Sequence, residues 1–195
     1  MSIVSRLALI ALGSNEESVW GDARETVQKS MLAVGQLSEQ SAKFSGLFTT
    51  PAFPAGAGPD FVNAAMAIFT KLSPADLLDQ LHRIEADAGR IRTRRWGQRT
   101  LDIDLIAIAD DVQPDAATHA YWRDLSLDDQ QAMMPTELIL PHPRLQDRAF
   151  VLIPLMDVAP DWDHPLLDLS VAQMCAALPS AAQADVVRLD GANTP

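Results

Sequence analysis

The 195 residues suit one domain, and 48% hydrophobic with 21% charged residues is the balance of an ordinary globular chain. A net charge of -11 argues against nucleic acid or an anionic membrane as the main partner, and no apolar run reaches the roughly 18 residues of a membrane span. The single cysteine, Cys175, excludes an intramolecular disulfide and a cysteine-rich zinc site, and it fits a reducing cytoplasm. Its apolar helical surroundings (Val171, Met174, Ala177, Leu178) predict a buried, inert thiol.

The elements follow in chain order. Ile3 to Leu12 is apolar and runs into a Gly13-Ser14-Asn15 turn, so it reads as a buried first strand rather than a signal peptide. Ala23, Val27, Met31 and Val34 recur at helical spacing and predict a helix from about Trp20 to Gln36. Lys43 to Thr49 reads as a strand. Thr50 to Asp60 holds three prolines and two glycines and must be a loop, long enough to suggest a functional one. Phe61 to Thr70 is a second apolar strand. Ser73-Pro74 starts a helix whose face is Leu77, Leu78, Leu81, Ile84 and Ala88, and Gly89 ends it. Leu101 to Ile108 is a further strand. The order is βαββαβ, which predicts an α+β, ferredoxin-like core with helices on one face of an antiparallel sheet. Residues 110–136 are polar and acidic and read as an insertion, with a short helix around Leu127 to Met133. After it, residues 166–195 form a C-terminal extension with a helix from Ser170 to Ala177 and a polar end expected to fray. The domain proper is expected to span 1–165.

The densest chemistry lies between Gly89 and Ile106. Five of the fifteen Lys and Arg residues (Arg90, Arg92, Arg94, Arg95, Arg99) fall within ten positions and run into Asp102 and Asp104. On a strand, residues two apart share a face, so both carboxylates point one way while Leu101, Ile103 and Leu105 enter the core. Such carboxylates, about 7 Å apart at their α-carbons, can share two magnesium ions about 4 Å apart. Arginines neutralise phosphate oxygens by bidentate hydrogen bonds. A positive island on a negative chain fits a small anionic ligand. The bland alternative is a solvated strand face beside a solvated charged loop; Arg94 and Arg95 suit that reading. Trp96, among the cations, either stacks on an aromatic substrate or anchors its loop. His82 and Glu85 share one side of a helix, and Pro141-His142-Pro143 sets an imidazole in a rigid turn ahead of Arg144 and Arg148. His119 and His164 have no such company and carry no assigned role. Walker and GxGxxG patterns are absent.

Four motifs occur together: ALGSN (11–15), TPAF…DFVNAA (50–65), LHRIEADAGRIRTRRWGQRTLDIDLI (81–106) and LPHPRLQDRAFVLIPL (140–155). In sequence and order they resemble the 6-hydroxymethyl-7,8-dihydropterin pyrophosphokinase family over roughly residues 3 to 165. The resemblance implies transfer of the terminal pyrophosphoryl group of ATP to a pterin hydroxymethyl oxygen, with AMP released. It implies that Asp102 and Asp104 ligate two magnesium ions, and that Asp102 also orients the attacking hydroxyl. Arg90 and Arg99 would stabilise the transferring group. His82, Glu85, Arg90, Arg92, Arg99, His142 and Arg148 would bind ATP. Thr50, Pro51, Phe53, Phe61, Asn63, Trp96 and Phe150 would form the pterin pocket, with Asn63 reading the ring edge between two aromatic faces. The expected partners are these small molecules alone, bound by a cytoplasmic monomer.

The chain departs from the family pattern in three places. Gln98 stands where proline is common, the Arg92 to Trp96 spacing is short by one residue, and residues 110–136 are added. Two rival readings use some of the same residues. A nucleotidyl cyclase or polymerase palm would need the paired aspartates but not the aromatic and amide pocket. A regulatory ferredoxin-like module would need neither the aspartates nor the arginines.

Overall fold

The computed structural model describes residues 4–52, 58–90, 100–126, 129 and 132–189. Phe53, Arg92, Arg94, Arg95, Trp96, Gln98 and Arg99 therefore lie outside the described residues, as does most of the expected helix at 127–133.

The strands are β1 (Arg6–Ser14), β2 (Lys43–Phe44), β3 (Phe48–Thr50), β4 (Phe61–Thr70), β5 (Asp102–Ile108), β6 (Asp163–His164), β7 (Leu169–Ser170) and β8 (Val187–Arg188). The helices are α1 (Ala23–Gly35), α2 (Pro74–Asp87), α3 (Ala116–Arg123), α4 (Ala149–Leu155), α5 (Val171–Ala177) and α6 (Ser180–Ala184), with a 3-10 turn at Leu145–Asp147 before α4. The main sheet has the order β5-β1-β4-β3-β8, with β2 also on β4 and every pairing antiparallel. A separate two-stranded ribbon joins β6 to β7.

Local chemistry starts the helices where the sequence suggests. Asp22 and Glu25 form a reciprocal capping box on α1, and Ser170 and Gln173 do so on α5. Ser73 caps α2, with Pro74 at the first helical position. Each such cap stabilises its helix by about 1 kcal/mol. Gly89 adopts φ +83° just past α2, a conformation most side chains resist.

Alternation in β1, β4 and β5 divides the molecule into two cores. Ala8, Ile10 and Leu12, with Ala64, Met66 and Ile68, face Val27, Met31 and Val34 of α1 and Leu77 and Leu81 of α2. The opposite face presents Leu9, Ala11, Ala65 and Ala67 to Leu145, Ala149, Leu152 and Leu155, and then to Val171 and Met174 of α5. Small residues on that face let α4 approach the sheet closely. Helices thus cover both faces, not the one face that the βαββαβ order predicts. The second layer comes from residues that the strand-and-helix pattern leaves outside the core.

Three further differences have physical causes. The strand expected at 43–49 breaks in two at Ser45-Gly46, where the Ser45 hydroxyl accepts the Ala65 N–H at 2.8 Å. The C-terminal end does not fray throughout: β8 pairs with β3, and Arg188 lies over the Phe48 ring at 4.8 Å while pairing with Asp157. Cys175 is half-buried rather than buried, and desolvation pushes its thiol pKa up. Among the described residues no helix is long and apolar enough to cross a membrane.

Candidate active site

The register of three strands lays out the site floor. Gly13 of β1 sits opposite Asn63 of β4 on one side and opposite Asp102 of β5 on the other. Phe48 of β3 continues the row beyond Asn63. Direct partners across antiparallel strands point to the same face, so Asp102, Gly13, Asn63 and Phe48 share the face that also carries α4. One row along, Asp104 faces Ala11 and Ala11 faces Ala65. Two strand spacings put the Asp102 and Asn63 backbones roughly 10 Å apart. Glycine at the crossing point keeps the floor low. A β-carbon on Gly13 would stand 3.1 Å from the Asn63 Oδ1 and 3.9 Å from the Phe61 ring.

The carboxylates alternate with core residues as expected. Ile103 and Leu105 are buried, while the Asp102 and Asp104 side chains keep 23% and 36% of their surface exposed. That residual exposure leaves both within reach of a ligand. Each is met by an arginine from a different element. Arg90, just past α2, contacts Asp102 Oδ1 at 2.7 Å, and Arg148, at the start of α4, donates to Asp104 Oδ2 at 3.1 Å. Arg148 also lies 5.7 Å from the centroid of Phe150, whose ring is 40% exposed. Two elements distant in sequence thus bring cations and an aromatic face to the two carboxylates.

Glu85, expected on the ATP side, is only 2% exposed. Its Oε1 accepts the Ile103 backbone N–H at 2.8 Å and also meets the Arg90 guanidinium. It ties the end of α2 to β5 at the residue between the two aspartates. His82, one helical turn earlier on α2, is half-buried.

Half-buried His142 is held by its own backbone, whose N–H donates to the Ile106 carbonyl at 2.7 Å. Desolvation first, and then the Arg148 charge, push its pKa well below the usual histidine value, although Asp102 pulls the other way. The ring is therefore neutral at pH 7. Its Nδ1 accepts the Arg144 backbone N–H at 3.1 Å, so the proton sits on Nε2. His142 can thus donate one neutral hydrogen bond without adding charge.

Of the expected pterin-pocket residues, Asn63 and Thr50 are buried and joined, the Asn63 amide donating to Thr50 Oγ1 at 2.9 Å. Phe61 is half-buried, and Pro51 is exposed. Ser14 and Asn15 fix the flanking segments, with Ser14 Oγ donating to the Thr100 carbonyl at 2.6 Å and the Asn15 amide to the Pro59 carbonyl at 3.2 Å.

Two histidines without an assigned role form a buried pair instead. His119 of α3 and His164 of β6 are both fully buried, with rings 5.6 Å apart and nearly perpendicular. The added segment at 110–136 therefore contains α3, a helix its sequence conceals because its buried side chain is a histidine rather than an apolar residue. Desolvation, then the neighbouring His119, lowers the His164 pKa from 6.5 to about 4. Desolvation also lowers that of His119. An unfolded chain binds more protons than the folded one between those values, so His164 contributes full stability above pH 6.5, and this is lost as pH falls toward 4. At 1.36 kcal/mol per unit, the effect is on the order of 3 kcal/mol. The melting temperature is expected to fall from pH 7 to pH 5, and His164→Leu should flatten that dependence. Equal melting temperatures at both pH values in the wild type would contradict this.

The known proteins that resemble the chain agree on one family. The model of 7,8-dihydro-6-hydroxymethylpterin-pyrophosphokinase matches residues 9–160. The 2-amino-4-hydroxy-6-hydroxymethyldihydropteridine pyrophosphokinase of Haemophilus influenzae is 36% identical over 164 residues, covering 81% of this chain and 84% of the relative. Its Pseudomonas aeruginosa counterpart is 37% identical over 157 residues, covering 80% and 82%. Plasmodium falciparum HPPK-DHPS shares the fold with a TM-score of 0.60 at 13% identity, and the match covers 88% of this chain but 43% of that longer one. Sequence motifs, strand register and these similarities converge: the chain belongs to the 7,8-dihydro-6-hydroxymethylpterin-pyrophosphokinase family.

Proposed function

We infer that the chain transfers pyrophosphate from ATP to 6-hydroxymethyl-7,8-dihydropterin in folate synthesis, giving AMP and the pterin diphosphate, on the face where Asp102 and Asp104 meet Arg90 and Arg148. One observation carries the placement: a single row across the sheet joins a carboxylate for the phosphate side to a buried amide for the pterin side. The strand order supports a ferredoxin-like core within residues 1–165, and a monomer remains part of this reading.

The donor set fits magnesium. It consists of two hard carboxylates on one strand face, and among the described residues no group of three or more His, Cys, Asp or Glu could hold a metal. Magnesium usually takes one or two carboxylates and completes its shell with substrate phosphates and water. Asp102 and Asp104 would hold two such ions, which when bound neutralise charge on the transferring group.

The remaining work falls to the chain's own groups. Transfer of this kind needs positioning and charge stabilisation more than covalent help. Arg148 and Arg90 are already held on the carboxylates, and so are poised to exchange onto phosphate oxygens. His142 adds a neutral Nε2–H donor on the ATP side. His82, Glu85, Arg92 and Arg99 complete that side in this reading, with Arg99 beside the transferring group. Asn63, fixed by Thr50 and given room by Gly13, reads the pterin edge. Phe150 covers one ring face and Trp96 the other, with Pro51, Phe53 and Phe61 around them.

Two measurements test this reading. Calorimetric ATP affinity should drop at least roughly tenfold when excess chelator removes magnesium, and an unchanged affinity would remove the carboxylates from the ATP site. Asn63→Ala should raise the pterin KM by roughly 30-fold, about 2 kcal/mol of lost hydrogen bonding, with ATP affinity unchanged. A rise in the ATP constant instead would move Asn63 to the nucleotide.

A further inference from the structure

The His119–His164 pair sits outside the site, yet it touches the backbone of the turn that carries His142. The added segment is closed at its neck, where Gln113 and Leu140 exchange both backbone hydrogen bonds, at 2.9 and 3.1 Å. Within it, α3 starts at Asp115, whose carboxylate accepts from Ala117 N and Thr118 N. This start places His119 against the chain just beyond the neck. There its Nε2 lies 3.0 Å from the Pro141 carbonyl oxygen. A carbonyl can only accept, so His119 Nε2 carries the proton and Nδ1 is bare.

On His164, Nδ1 accepts the Leu166 backbone N–H at 3.2 Å, which puts its proton on Nε2. His119 Nδ1 and His164 Nε2 are the two ring atoms without a hydrogen-bond partner among the described residues. One is a bare acceptor and the other a donor, and they do not bond each other; the two rings meet edge to face. Trp162 packs against His164, its ring 5.8 Å away and its indole N–H bonded to the Ala109 carbonyl at 2.9 Å. Ala109 directly follows β5. The pair therefore spans the added segment, the end of the aspartate strand and the Pro141-His142 turn.

We propose that His119 is a positioning residue for the ATP side of the site: α3 acts as a strut, gripping the Pro141 carbonyl and so fixing the direction in which His142 presents its Nε2–H. This assignment rests on the reading of His142 as an ATP contact. The strut is expected to act on the nucleotide rather than the pterin, because its hydrogen bond is to Pro141, beside His142, whereas Asn63 and Thr50 lie on β4 and β3. The charged groups near the pair are Arg123 and Asp124 at the end of α3. They act on it in opposite senses, and the strut works with both rings neutral.

The test compares two substitutions at one position. His119→Leu removes the donor to Pro141. His119→Gln keeps an N–H near the place of Nε2. In the full-length protein with magnesium, His119→Leu should raise both the calorimetric ATP Kd and the ATP KM roughly tenfold, with less than about a twofold change in pterin KM. His119→Gln should restore ATP binding to near the wild-type value. An unchanged ATP Kd in folded His119→Leu, an equal loss for both substrates, or no rescue by Gln would overturn the proposal. Should the Leu variant fail to fold, His119→Asn, polar but too short to reach Pro141, takes its place with the same criteria. The Kd comparison does not depend on turnover. A wild type that binds ATP but makes no AMP would defeat the functional reading and leave the strut testable.

Discussion

Asp104→Ala should abolish turnover while leaving a folded protein. The side chain is 36% exposed, and among the described residues its ion-pair neighbour is Arg148, itself 31% exposed. Breaking so open a pair costs little stability, at most about 1 kcal/mol. Catalysis is a different matter. Asp104 is one of two carboxylates proposed to hold the metal, and removing it withdraws charge stabilisation where the transferring group passes. A loss of roughly 10³-fold or more in kcat is expected. Steady-state kinetics beside a thermal melt checks both halves. A variant that retains more than about a tenth of its turnover would show that the chemistry lies elsewhere.

Glu85→Ala should do the reverse and unsettle the fold before the chemistry. The carboxylate is buried and accepts, among the described residues, from the Ile103 N–H and the Arg90 guanidinium. Truncation strands a buried backbone N–H and takes from Arg90 one of its two carboxylate partners among the described residues. The expected cost is about 3 kcal/mol, a fall of roughly 6–12 °C in melting temperature for a domain of this size. Glu85→Gln keeps an acceptor for Ile103 and should lose much less. A melting temperature within about 2 °C of wild type for the Ala variant would mean that the bridge does not hold α2 to β5. The contrast between the two positions separates a carboxylate that meets ligand from one that places its neighbours.

Much of this could be read from the residues, for reasons particular to each. Leu101 to Leu105 alternates strictly, so the shared face of Asp102 and Asp104 follows from the strand period. Ser73-Pro74 and Gly89 mark the ends of α2 by backbone chemistry alone. The row from Asp102 through Gly13 to Asn63 could not be read, because register between strands far apart in sequence is a tertiary property. The second core was hidden too. α4 and α5 are short, and their apolar residues cover a sheet face that the βαββαβ pattern leaves bare. His119 and His164 escaped because a buried polar pair has no periodicity to betray it. The one signal for them was chemical, two histidines in otherwise unexplained segments. The place of Glu85 on the ATP side came from the family resemblance, since its spacing from His82 left a surface role open, and its burial and its bond to Ile103 emerge only when α2 meets β5.

The most direct measurement is the identity of the nucleotide product after incubation with ATP, magnesium and 6-hydroxymethyl-7,8-dihydropterin. The site described here predicts AMP and pterin diphosphate in equal amounts, dependent on the pterin and lost in Asp104→Ala. ADP with a pterin monophosphate, or AMP formed equally well without pterin, would contradict it.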